Sequence, residues 1–342
     1  RITPSLKGVP PYPKLRLNTI KVSCLSLTKK SLAKPLEPRQ ISLNPLTILG
    51  QLSESLYWAY ILIVPSVILI CAVVVYPILS GIRLSFHELR LNRPDLGTGY
   101  VGFEHYTDLL RDRTFIRALT NTFIWVVAGV TSQFALGLVT ALALNRALRG
   151  FRVARILVML PWVMPSVIAG NIWALMLDSR LGVINDLLVK LGLATEYRAW
   201  FADPNTAMPT VLLIALWQSF PFFTLLLLAG MQGIAEDLYE AAAVDGANPW
   251  DKFRFITIPL LKPIIITTVV LRVIGMVNSP DLLIILTGGG PGQATQTLSL
   301  YAFQTAYLRF DFGYAGAISV VMMVLLMIFT VIYVRASGVS KE

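Results

Sequence analysis

Residues 236–263 read EDLYEAAAVDGANPWDKFRFITIPLLKP, the longest polar interruption in the C-terminal half, with a long apolar run on either side. Residues 237–244 combine good helix formers with an apolar stripe of Leu238, Ala241 and Ala242 at helical spacing. Gly246 supplies the left-handed residue that ends a helix. A fresh start signal follows, with Asn248 as N-cap, Pro249 at the first helical position and Asp251 where a capping-box acid sits. The stretch therefore reads as a short helix, a glycine turn and a second helix that stops near Pro259. Flanked by membrane-length apolar runs, such a hairpin is a peg projecting from a membrane domain, suited to docking.

The composition agrees with a membrane setting. Of 342 residues, 55% are hydrophobic and only 14% charged, with a mean hydropathy of +0.67; a soluble domain carries roughly 25% charged residues. His87 and His105 share one polar stretch without other ligand types, which argues against a metal site. Cys71 lies in an apolar run and Cys24 in a basic tail, so a disulfide is not expected. Much of the net charge of +10 sits in residues 1–40, where Glu37 is the one acid. No aromatic-interleaved basic surface follows, which excludes a nucleic-acid partner. Residues 1–50 read as a disordered, basic cytoplasmic tail, with a targeting segment as the alternative, and residues 51–342 as the membrane domain.

Working outward, six apolar runs have the length of a membrane crossing: 57–79, 118–144, 156–177, 207–230, 264–286 and 312–334. Tyr57, Trp58 and Tyr60 form an interfacial belt on the first. Arg146, Arg149, Arg152 and Arg155, with no acid among them, mark a cytoplasmic turn after the second. That places both termini and the 236–263 hairpin inside, and the 80–117, 178–205 and 288–292 connections outside. The third run contains Pro161 and Pro165 and the fourth Pro221, so both should face the bundle or a path through it, where the freed carbonyls can be satisfied. The fifth is the most polar, with Arg272, Asn278, Ser279 and Asp281. The expected fold class is an all-α membrane protein of six transmembrane helices with a cytoplasmic hairpin.

Glu240-Ala241-Ala242, Asp245-Gly246-Ala247, then Phe253, Ile256, Pro259, Leu261 and Pro263 resemble the EAA loop of ATP-binding-cassette importer permeases. The resemblance implies that residues 236–263 are the coupling helix hairpin that seats in a cytoplasmic ATPase, with Glu240, Ala241, Ala242, Asp245 and Gly246 as its coupling positions. LPWVMP at 160–165, Trp173, GVIN at 182–185 and LTGGGP at 286–291 resemble the carbohydrate-uptake permeases of the maltose and glycerol-phosphate type. Thr295, Thr297, Leu298, Tyr307 and Gly313 continue that pattern, which covers residues 57–334 and is similar to the first of the two permeases. The implied assembly is a bacterial inner-membrane importer with a second homologous permease, a homodimeric ATPase holding ATP and Mg, and an extracytoplasmic solute-binding protein. This chain itself would carry no cofactor. Gly288–Gly292 lacks the Lys-Ser/Thr of a nucleotide loop, and no nucleophile triad or paired carboxylates occupy a plausible cleft, so the chain is not expected to be an enzyme.

Arg272 lies about 13 Å along a helix from Pro263. A charge at that depth costs at least ~2.5 kcal/mol and faces a cavity or a partner. Three readings stand: it binds an anionic group of the solute (sulfonate, phosphate or carboxylate), it pairs with an acid of the partner permease, or it gates a water-filled path. An intrahelical pair with Asp281 is too long, although a secondary transporter gated by Arg272 and Asp281 is the alternative from another class. The resemblance further implies solute-lining positions at Trp162, Ser166, Gln218, Ser219, Phe222, Arg272, Gly275, Met276 and Ser279; for each, ordinary helix packing is the competing explanation. Because Arg272 stands where the maltose pattern has uncharged polar residues, the cargo is expected to be an acidic sugar or sugar derivative. Glu240 is expected to contact the ATPase or the hairpin's own Lys252 and Arg254.

Overall fold

The computed structural model describes residues 56–93, 95, 97–145 and 151–338. The chain clusters into Arg1–Pro65, of which only the start of the first helix is described, and Ser66–Glu342, which holds everything below. The basic tail lies outside the described residues, as do Cys24, Arg146 and Arg149. Among the described residues no His/Cys/Asp/Glu cluster could hold a metal.

Five helices are long and apolar enough to cross a membrane: α1 (Tyr60–Leu84), α3 (Arg113–Leu144), α7 (Pro204–Gln232), α9 (Pro249–Asn278) and α12 (Phe312–Ser337). A sixth crossing is split. Where a single span over 156–177 is expected, α4 (Phe151–Val163) and α5 (Ser166–Met176) meet at a bend of 93°. Pro165 has no N–H to donate and drives the preceding Met164 out of the helical region. Pro165 itself is extended (φ −55°, ψ 138°) and starts α5 by accepting from the Ile168 and Ala169 amides. Pro161, by contrast, is absorbed inside α4.

The fifth crossing also departs from the expected 264–286. The helix ends at Asn278, Ser279 is extended, and after Pro280 a short α10 (Asp281–Leu286) begins. At its other end the expected stop near Pro259 does not occur. Phe253–Thr257 forms a wider turn in which the Ile258 amide reaches back five residues to the Phe253 carbonyl, and the helix runs on through Pro259. The same device stands in α1: Cys71–Val75 widens, the Tyr76 amide reaches the Cys71 carbonyl, and Pro77 follows. In both places the wide turn loosens the helix just where a proline removes a donor.

Between the spans sit short helices in stretches that read as loops: α2 (Glu104–Arg111) and α6 (Val183–Lys190), with α11 (Leu298–Tyr307) before the last span. α11 is drawn into the protein by α3. The Asn121 side-chain amide donates to the Gln293 and Gln296 carbonyls at 2.8 and 2.9 Å, and the Leu298 amide donates to Thr122 Oγ1 at 2.9 Å. α3 packs most extensively on α7. A Cβ at Gly137 would lie 2.5 Å from Phe223 Cβ and 3.0 Å from the Phe220 carbonyl, so the two helices approach as closely as they do because position 137 is glycine. At the C-terminal end of α3, Arg155 donates to the Leu144 carbonyl at 2.9 Å, satisfying one orphan acceptor.

Asp112 ties the other end of α3 together. It caps the helix through the Thr114 amide (2.8 Å) and accepts from the Tyr301 and Tyr314 hydroxyls at 2.6 and 3.2 Å, joining α3, α11 and α12. Burial pushes its carboxyl up, but those hydrogen bonds outweigh it and hold the group below the usual carboxylate range. A depressed folded value means that the carboxylate stabilises the fold above the unfolded-state titration and loses that contribution as pH falls through the folded one. Asp112→Asn is therefore expected to lower stability at pH 7 by on the order of 1–2 kcal/mol, with the gap to the native protein closing in acid. Thermal unfolding of both proteins across pH checks this; a gap that widens in acid would contradict it.

Candidate functional site

The bend between α4 and α5 opens a cavity of about 320 Å³ against α3, α7, α9 and the start of α10. The break is held by α7: Gln218 Nε2 donates to the Met164 carbonyl at 3.2 Å and lies 3.4 Å from Ser166 Oγ. A carbonyl freed at the proline break thus finds an amide on a neighbouring helix. Gln218 and Ser219 are buried, Ser166 is half-buried and Trp162 is 42% exposed.

α9 supplies the opposite wall with Arg272, Gly275, Met276 and, beyond the helix end, Ser279. Eight of the nine positions singled out for solute contact thus border one space. The exception is Phe222, which stands behind Trp162 with ring centroids 6.1 Å apart and supports the indole instead of lining the wall. Gly275 faces open space: a Cβ there would meet nothing within 4 Å.

Arg272 is half-buried, and its Nε donates to Gln133 Oε1 at 2.6 Å. No carboxylate lies within ion-pair distance of it among the described residues, and the gating pair with Asp281 is not formed. Asp281 instead accepts from Ser279 Oγ at 2.9 Å. Gln133 was not singled out from the sequence. The available signal was its being the one amide side chain inside the apolar 118–144 run beyond Asn121, since polar groups at membrane depth are paired or functional. Trp125 and Ala215 complete the wall from α3 and α7. Trp125 Nε1 donates to the Met276 carbonyl at 3.2 Å, and a Cβ at Gly129 would run into the Met276 thioether, so α3 and α9 interlock along Trp125, Gly129 and Gln133. The space offers an aromatic face, hydroxyls, an amide and a guanidinium. That is the equipment for holding a polyol with an anionic group, and it contains no nucleophile–base pair.

The hairpin is the second candidate element. α8 (Glu236–Val244) has no buried residue, and Gly246 at the turn has φ +83°. The Ala247 amide reaches the Ala242 carbonyl at 2.9 Å across that turn. The expected capping box is present, with Asn248 Oδ1 accepting from the Trp250 and Asp251 amides and Asp251 accepting from the Asn248 amide. Glu240, Ala241 and Asp245 are exposed and Ala242 is half-buried. The internal ionic contact considered for Glu240 is not made: neither Lys252 nor Arg254 pairs with it among the described residues. The two arms are instead linked by Tyr239 and Thr257, whose hydroxyls lie 2.9 Å apart. Leu238, Val244, Trp250 and Phe255 are exposed apolar groups in the same region.

A multi-pass helical bundle with a cavity against a proline break and a projecting two-armed hairpin defines a membrane permease. Residues 133–338 match the family described as binding-protein-dependent transport system inner membrane component. The chain belongs to this family and is a transport permease subunit of an ATP-binding-cassette importer, not an enzyme. It is 36% identical to the trehalose/maltose transport system permease protein MalF of Thermococcus litoralis, over 83% of this chain and 94% of that one. With the sulfoquinovosyl glycerol transport system permease protein SmoG of Agrobacterium fabrum it shares 37% identity over 81% and 89%. Its fold is similar to that of a chain in a bacterial ABC transporter that imports the acidic polysaccharide alginate, with a TM-score of 0.72, 22% identity, and coverage of 82% of this chain and 95% of that one.

Proposed function

We propose that this permease forms one half of a heterodimeric pathway for a carbohydrate bearing an anionic group, and that the cavity beside the α4–α5 break is its solute site. The observation that carries the reading is the Arg272 guanidinium, which borders the cavity without a carboxylate partner among the described residues, next to an indole face and several hydroxyls. A planar guanidinium suits the oxygens of a sulfonate, phosphate or carboxylate, and the indole suits the C–H face of a sugar ring. The names of the relatives support a sugar as cargo. A second permease, a pair of ATPases carrying ATP and Mg, and an extracytoplasmic binding protein would complete the importer, with both termini and the hairpin on the cytoplasmic side. ATP-driven closure would push the hairpin and re-orient the cavity between the two faces of the membrane.

The test has two stages. Calorimetry on the partner binding protein, against trehalose and sulfoquinovosyl glycerol as neutral and anionic probes, is expected to favour the anionic one. Uptake of the preferred solute by the complete transporter in proteoliposomes should then fall by about tenfold or more in Arg272→Ala, as for loss of a charge-assisted contact. Full uptake of an acidic solute by Arg272→Ala would remove the anion role.

A further inference from the structure

We propose that Gln133 is a positioning residue that decides how Arg272 is presented to the solute, so that an oxyanion is gripped end-on by the two terminal nitrogens; this rests on the anionic-sugar reading above. A guanidinium can hold a pair of oxygens either side-on, through Nε and one Nη, or end-on, through both Nη atoms. The side-on edge is closed, because Nε donates to Gln133 Oε1 at 2.6 Å. The end-on edge is open. Neither Nη atom has a partner among the described residues, and neither is among the buried unpaired atoms.

The anchor is rigid for reasons visible in its surroundings. Gln133 is 0% exposed, so its amide is shielded from competing water. Its Nε2 donates to the Ala215 carbonyl at 3.3 Å and lies 3.9 Å from Met276 Sδ. Flipping the amide would set donor against donor at Arg272 and acceptor against acceptor at Ala215, so the network allows one orientation. Three spanning helices, α3, α7 and α9, therefore converge on one side chain whose single output is the direction of a guanidinium. Two oxygens side by side, as on a carboxylate or sulfonate, match the end-on edge.

The test reads Arg272 itself and needs no binding protein. Phenylglyoxal condenses with guanidinium nitrogens, and its adduct at residue 272 of the complete transporter is followed by mass spectrometry, with glucuronate as the anionic probe and glucose as the neutral one. In the native protein, labelling should occur and glucuronate, not glucose, should slow it. In Gln133→Met the half-protecting glucuronate concentration should rise about tenfold, as expected for losing a hydrogen bond to a charged group. In Gln133→Glu the new carboxylate should pair with Arg272, slowing labelling and abolishing protection; this isosteric variant decides the matter if Gln133→Met fails to assemble. Unchanged protection in the assembled variants would overturn the role of Gln133 while leaving the anionic-sugar reading intact. Labelling without protection in the native protein, or no labelling at all, would sink both.

Discussion

Gly246→Val should abolish ATP-driven uptake while leaving the permease inserted and folded. The left-handed conformation at Gly246 (φ +83°) is what brings Asn248 and Pro249 round to start α9. A β-branched residue there costs on the order of 1–3 kcal/mol of backbone strain. A Cβ at this position would meet nothing within 4 Å, so the effect cannot come from crowding and must come from the turn. The cheapest relief is to open the elbow, which separates the two arms and misplaces the exposed hairpin. Gly246→Asn, which tolerates the left-handed region, should retain much more uptake than the valine variant. Transport and solute-stimulated ATP hydrolysis by the reconstituted complex, measured side by side for both variants, discriminate; full coupling in Gly246→Val would refute the docking role.

The second large effect is expected at Gly275. The absence of neighbours around its Cβ position and its place on the cavity wall mean that a bulky side chain can grow into the cavity without displacing core packing. Gly275→Phe should therefore reduce uptake on the order of a hundredfold, because a clash in the path acts against every solute. Stability should change little, as for a substitution outside the core, whereas Gly275→Ala should transport nearly normally. Uptake and thermal unfolding on the same preparations check both halves. Undiminished transport in the phenylalanine variant would mean that the solute passes elsewhere.

Much of this architecture was legible in the residues because lipid imposes simple rules. Uncharged runs of crossing length, a glycine between two capped helices, and an arginine where apolar residues belong each have few physical interpretations. The hairpin was readable down to its capping box, since Asn248, Pro249 and Asp251 act on their own backbone neighbourhood. Prolines were harder. Pro165 breaks a crossing at a point held by Gln218, Pro259 is absorbed by the wide turn before it, and Pro161 simply stays inside α4. None of these outcomes can be read from local spacing. α11 was missed because its cohesion is tertiary: Asn121 and Thr122 fix it from more than a hundred and seventy residues away. Gln133 was missed for the same reason, its significance arising only once α9 brings Arg272 beside it. Phe222 does not border the described cavity but packs on Trp162, since adjacency in a helical motif does not say which face a ring takes.

Because α9 is continuous from the turn at Pro249 to Asn278, the hairpin and Arg272 ride on one rod. From the wide turn to Arg272 is ~22 Å at the helical rise, so a tilt of ~5° about that turn would swing the guanidinium by ~2 Å. A displacement of that size is enough to sever a 2.6 Å bond to Gln133. Under the proposed coupling, thermodynamic reciprocity would act in both directions: a partner gripping the hairpin would retune solute affinity beside Arg272, and a solute bound there would act back on that partner with an equal coupling free energy.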